Sequence, residues 1–193
     1  MHRIFVTEGI MLGKRPLGEA HTLVSVLTQD AGLVRAKATS TRTESSKLRY
    51  GIEPFTHARF SFVQGKYEWK LTGVERISHE LISPTLRNRV AAGRIAKLLL
   101  RLIRGEEEGR ALFSTVNEGL SLLARAEDAN TSASIECILV LRVLSHLGYL
   151  PHTPVLAPFV EADFASSELA IQAAASRAFL IRTINESLMQ TGL

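Results

Sequence analysis

Five cations, Arg35, Lys37, Arg42, Lys47 and Arg49, fall within fifteen residues, with Glu44 as the only acid among them. The first two alternate with Val34, Ala36 and Ala38, a period of two that sends basic and apolar side chains to opposite faces of a strand. Cations spaced along one strand face and the loop after it can follow a phosphate backbone, neutralising its charge and releasing its counterions. A solvated strand face carries the same pattern, so the track alone does not name its ligand.

Two further groups of residues could extend that chemistry. In the run Lys66-Tyr67-Glu68-Trp69-Lys70, strand geometry puts the two rings on one face and Lys66 and Lys70 on the other. Rings beside a basic track can stack on unpaired bases, or they can fill the core of a small barrel; the pattern leaves both open. Farther on, Arg87, Arg94, Lys97, Arg101 and Arg104 fall within about a third of a helix circumference at 3.6 residues per turn. Ala91, Ile95, Leu98, Leu99 and Leu102 occupy the adjoining face, and no acid occurs from Ser83 to Gly105. This basic stripe either extends a nucleic-acid path, docks an acidic tail, or is the wet side of a core helix.

Signs of catalysis are missing from the sequence. There is no Gly-rich phosphate loop ending in Lys-Ser or Lys-Thr, no GxGxxG after a strand, no HExxH and no GxSxG, the short patterns that carry nucleotide, zinc and acyl-transfer chemistry. His2, His21, His57, His79, His146 and His152 are scattered without metal-ligand spacing. Cys137 stands alone between apolar neighbours, so it reads as an inert core thiol rather than a nucleophile. The expectation is a protein that is not an enzyme, with no catalytic residue, no metal and no cofactor.

The chain has 193 residues and a net charge of +4, enough length for two small cores. Residues 1–80 hold 12 Lys or Arg against 8 Asp or Glu, whereas residues 81–193 hold 11 of each. All the excess positive charge lies in the first part, which suits a basic domain that meets a polyanion beside a balanced one. Apolar runs such as 96–100 and 138–141 are broken well before the roughly 18 residues that a membrane span needs. With no apolar leader after Arg3, no membrane association and a cytoplasmic location are expected.

Two periods divide the chain. From Arg3 to about Ile77 the apolar residues recur every second position, punctuated by Pro16 with Gly18, by Asp30-Ala31-Gly32 and by Gln64-Gly65-Lys66; this predicts about five strands. Five strands in so short a stretch suit a small barrel, OB-type first and SH3-like second. After Ser83, expected as an N-cap with Pro84 at the first helical position, a helix is predicted over Thr85 to Arg104. Others follow over Glu107 to Arg125, over Ser132 to Leu147 with Gly148 as its stop, and over Ser167 to about Met189 beyond a Pro-containing connector. The expected fold is α+β: an OB-fold nucleic-acid-binding domain over 1–80, then an all-α domain over 81–193.

The runs 18–24, 27–35 and 47–55, which include Leu27-Thr28-Gln29-Asp30-Ala31-Gly32-Leu33 and Tyr50-Gly51-Ile52-Glu53-Pro54-Phe55, resemble the N-terminal domain of the RecO family. The helix end Leu147-Gly148-Tyr149-Leu150-Pro151 resembles that of the family's second domain. The resemblance implies a bacterial, nucleoid-associated mediator of DNA repair and recombination after DNA damage. Such a protein binds single- and double-stranded DNA, anneals complementary strands, and helps load recombinase onto coated gaps. It also implies RecR and the C-terminal tail of single-stranded-DNA-binding protein as partners. Two departures stand out. Thr39-Ser40-Thr41-Arg42 replaces the Lys-Gly-x-Arg of many relatives, leaving Arg42 and making Lys37 the substitute cation. Residues 152–165 contain no Cys, so this is a short form lacking the family's cysteine zinc site. The alternative is a protein adaptor whose helical domain takes an acidic-apolar peptide, with incidental DNA contact.

Overall fold

The computed structural model describes residues 4–18, 21–39, 48, 51–105 and 109–190. It comprises β1 (Ile4–Leu17), β2 (His21–Thr28), β3 (Gly32–Thr39), β4 (His57–Gln64) and β5 (Trp69–Ser78), then α1 (Leu86–Leu102), α2 (Arg110–Arg125), α3 (Ala129–His146), α4 (Ala157–Glu161), α5 (Ser167–Ala175) and α6 (Arg177–Gln190). Contacts divide it into two units, Met1–Ile82 with Ile103–Phe113, and Ser83–Leu102 with Ser114–Leu193.

The strands close a barrel in the order β1-β2-β3-β5-β4. β1 is long enough to pair twice, with β4 over Ile4–Ile10 and with β2 over Gly9–Leu17. β5 runs antiparallel to β4 and then parallel to β3, from Ala36 opposite Trp69 to Ala38 opposite Leu71. This five-stranded closure is the OB arrangement, and it removes the sheet edges that an open meander would expose. The alternating residues fill it: Val24, Val26, Val34, Ala36, Phe60 and Phe62 are all fully buried. Gly9 sits where β1 meets both neighbours, and a Cβ there would stand 2.7 Å from Val26 Cγ1 and 3.1 Å from the Phe60 ring. The barrel closes tightly because that side chain is absent.

β1 departs from simple alternation. Met11 pairs with Val26 but Gly13 pairs with Ser25, so Leu12 is an extra residue, a β-bulge. Ile10, Met11 and Leu12 are consecutive and all buried, and they cannot be accommodated by a regular strand with one buried face.

Several helix boundaries differ from the sequence expectation. α1 starts at Leu86, not Thr85: Ser83 Oγ accepts from the Thr85 N–H at 3.2 Å but donates to the Ala124 carbonyl at 3.1 Å, so it ties the chain to the end of α2. α1 ends at Leu102, leaving Arg104 outside it. α3 begins earlier than Ser132 because Asp128 caps it, its carboxylate accepting from the Asn130 and Thr131 N–H groups at 2.8 and 2.9 Å. These bonds hold the Asp128 carboxyl below its usual range, the Thr131 hydroxyl contributing most. At the other end Gly148, at φ 75, makes the left-handed turn that lets Tyr149 N–H reach the Leu144 carbonyl at 2.8 Å and Gly148 N–H the Ser145 carbonyl at 3.0 Å. The single helix expected from Ser167 is two, broken at Ser176, and the connector contains the short α4.

Polar groups fix the helices to one another. Asn88 is fully buried; it donates to the Ala126 carbonyl at 2.8 Å and accepts from Ser132 Oγ at 2.9 Å. Arg142, also buried, donates to the carbonyls of Phe159 and Ala162 at the end of α4 and stacks on Phe164. Burial is the main influence on this guanidinium and lowers its pKa, while Glu118 and Asp163 act the other way. Cys137 lies buried on α3, and burial pushes its thiol up to about 11, as an inert core cysteine requires.

Candidate nucleic-acid interface

The residues of the basic track divide by what surrounds them. On β3, Arg35 is exposed and Lys37 half-exposed, while Val34, Ala36 and Ala38 are buried. Arg42, Lys47 and Arg49 lie outside the described residues. β5 carries Lys70, exposed, directly opposite Lys37 in the parallel pair. Neighbouring strands lie about 4.8 Å apart, so two lysines separated by 33 positions in sequence stand side by side on the outer face of the sheet. Like charges directly opposite one another weaken a sheet, and no described residue pairs with either lysine.

The row continues. Lys37 is opposite Leu23 on β2, and Leu23 is opposite Arg15 on β1, so Arg15, Lys37 and Lys70 lie along one transverse line of the outer surface. Sequence reasoning missed Arg15. Without the bulge Arg15 would point inward; the extra residue Leu12 reverses the phase, placing Lys14 level with core residue Val24 and Arg15 level with Leu23. Lys14 binds Glu53 at 2.6 Å. The signal was available in the run Ile10-Met11-Leu12 followed by Gly13, which breaks the period of two.

The aromatics occupy different places, contrary to their assignment to one strand face. β5 begins only at Trp69, which turns inward to pack on Phe5 and Phe62 at centroid distances of 5.9 and 6.2 Å. Tyr67 precedes the strand, in the loop after β4, and is exposed, with Lys66 Nζ 5.0 Å from its ring centroid. A four-residue turn, not a continuing strand, occupies 65–68, which removes the alternation that would have paired Tyr67 with Trp69.

Two of the five residues of the basic stripe, Arg87 and Arg94, are engaged internally in the helical unit. Arg87 donates to the Glu127 carbonyl at 2.9 Å, and Arg94 makes a two-pronged pair with Glu136 at 2.6 and 2.7 Å. The hydrogen bonds to Glu136 raise the Arg94 pKa. Lys97 and Arg101 are exposed on α1, and Arg104 is exposed beyond its end. The same unit holds a groove of about 610 Å³, bordered by Leu122, Ile135, Phe164 and Ile171, with Arg125, Glu127 and Asp128 among its polar residues.

Other candidate chemistry is structural. His146 is exposed and bonds Thr115 at 2.9 Å between α2 and α3. His57 is buried between Glu8 at 2.7 Å and Ser78 at 3.3 Å. Among the described residues no three His, Cys, Asp or Glu side chains could hold a metal ion, and no helix is long and apolar enough to cross a membrane.

The closed five-stranded barrel followed by helices places the chain in the OB class by architecture. Residues 1–78 match the family model "Recombination protein O N terminal". The chain is 29% identical over 150 residues to DNA repair protein RecO of Heliobacterium modesticaldum, covering 77% of this chain and 53% of that protein. It is 29% identical over 173 residues to RecO of a Synechococcus species, covering 84% and 58%, and 31% identical over 151 residues to RecO of Thermobifida fusca, covering 77% and 61%. These matches establish the resemblance to the RecO family that the sequence suggested. The chain spans just over half the length of the curated relatives named here.

Proposed function

We propose that this protein acts in DNA repair and recombination as a mediator that binds and anneals single-stranded DNA and helps load recombinase onto coated gaps. The observation that carries this reading is the row Arg15, Lys37 and Lys70 on the outside of an OB barrel, with Lys37 and Lys70 opposed across the β3–β5 pair. Two opposed ammonium groups are relieved by a phosphate between them, and annealing needs cations that screen two strands from one another. Arg35, Arg42, Lys47, Arg49 and Lys66 complete the proposed path. The domain over 1–80 would hold DNA, single- or double-stranded, and that over 81–193 would hold partners, RecR and the C-terminal tail of single-stranded-DNA-binding protein. The relatives' name supports the repair role, and nothing in it calls for catalysis by this chain.

Annealing of two labelled complementary oligonucleotides across a salt series tests the reading. Acceleration that fades steeply with salt is expected. Lys37→Glu with Lys70→Glu should lower DNA affinity at least tenfold, about 1.4 kcal/mol or more. Unchanged binding by the folded double variant would move the path off this face.

The groove in the helical unit bears on a second reading, a protein adaptor that takes an acidic-apolar peptide, through its apolar lining alone. Its apolar border fits such a peptide, but Glu127 and Asp128 against the single cation Arg125 give it no attraction for acidic residues. Ile171 is 70% exposed, so Ile171→Glu tests the groove without disturbing a core. Loss of peptide binding with DNA binding intact supports it; unchanged peptide binding removes the groove as the seat.

A further inference from the structure

Tyr67 is 87% exposed, the largest fraction among the exposed large apolar and aromatic residues of the described chain. Its loop is held in shape. Gln64 pairs with Trp69, and the Gly65 N–H donates to the Glu68 carbonyl at 2.9 Å. A Cβ on Gly65 would stand 2.9 Å from that same oxygen, so the turn needs a residue with no side chain there. The ring is thus presented from a tight hairpin turn. Lys66 Nζ lies over the ring, 5.0 Å from its centroid, as a cation–π contact that steadies the ring from one side. The high exposure leaves ring surface uncovered for another planar group. Two residues after Tyr67 the chain enters β5 at Trp69, and the next residue, Lys70, stands opposite Lys37. Ring and cations therefore share one end of the barrel.

We propose that Tyr67 is a stacking platform for an unpaired nucleobase, with Lys66 positioned for the adjoining phosphate, so that this end of the barrel distinguishes single strands from duplex. The inference rests on the reading that the barrel binds DNA, and it names the feature of the ligand that the cations cannot sense. Phosphates are common to single strands and duplexes, and a row of cations reads only their charge. Base faces are free in a single strand and covered in a duplex, so a ring gains a partner only from the former.

The test uses the full chain with Tyr67→Ala and Tyr67→Phe, each checked for an unchanged melting midpoint. Binding is measured to an oligothymidylate, to a duplex of equal length, and to a deoxyribose-phosphate tract without bases. Tyr67→Ala should weaken oligothymidylate binding about tenfold and change duplex binding less than twofold, while Tyr67→Phe keeps wild-type affinity. Removing the bases should weaken binding of the wild type but not further weaken that of Tyr67→Ala. Equal loss on single strand and duplex, or no loss on the single strand, would overturn the proposal. If the wild type binds none of the three, the DNA reading itself fails, which is a separate outcome.

Discussion

On the barrel, Lys37 stands opposite Lys70 and in line with Arg15, and no described carboxylate answers any of the three. On the helices, Arg94 is held by both oxygens of Glu136 and Arg142 by two main-chain carbonyls. In the sequence the barrel track and the α1 stripe are equivalent, each a spaced set of cations beside an apolar face. The fold supplies acceptors to Arg87 and Arg94 of the stripe, while Lys97 and Arg101 stay exposed. A cation that is already satisfied steadies the protein and has little to offer a ligand; one without a partner keeps its charge available.

The sharpest way to break this contrast is to remove an engaged cation. Arg142→Met keeps most of the packing but leaves the Phe159 and Ala162 carbonyls without their charged donor, and should lower unfolding free energy by about 3 kcal/mol in urea titration. A loss below about 1 kcal/mol would mean that solvent or the backbone satisfies those carbonyls instead. DNA affinity of the folded variant should not change.

The next effect in size sets the exposed cations of α1 against those of the barrel. Lys97→Glu with Arg101→Glu on α1 should change DNA affinity less than about threefold, set beside the tenfold or greater loss expected for Lys37 with Lys70. Equal losses would make α1 part of the path. Smaller again is Arg94→Ala: the pair is largely exposed on the Arg94 side, so it should cost no more than about 1 kcal/mol of stability and leave DNA binding alone.

Two titrating groups give the smallest effects. The Asp128 carboxyl has a folded pKa below its unfolded value, so its cap stabilises the fold above the ordinary carboxylate pKa and loses that contribution as pH falls through the folded value. The difference in melting midpoint between wild type and Asp128→Ala should therefore be full at pH 7 and shrink toward pH 3. Cys137, raised to about 11, should react with a thiol reagent at pH 8 far more slowly in the native protein than in denaturant.

Much of the fold was legible because its causes are local. Val34, Arg35, Ala36, Lys37 and Ala38 alternate, and β3 buries the apolar members; Gly148 ends α3 where a left-handed residue was required. Boundaries failed for two reasons: Ser83 also donates to the Ala124 carbonyl, 41 positions away, and α3 starts at the residue after Asp128, a local carboxylate cap that the apolar period does not register.

The site divides the same way. By itself the sequence determined that the excess charge lies in the first 80 residues, that Arg35 and Lys37 share a strand face, and that an OB barrel was the leading architecture, since composition and period are properties of neighbouring residues. Only the tertiary structure decided that Lys70 stands beside Lys37, that Arg15 joins them, that Trp69 packs against the core and Tyr67 does not, and that Arg94 is already paired. Each of those depends on strand register, a single bulge or a contact between helices. These are set by packing between segments far apart in the chain, and only the bulge leaves a local trace, in the run Ile10-Met11-Leu12-Gly13.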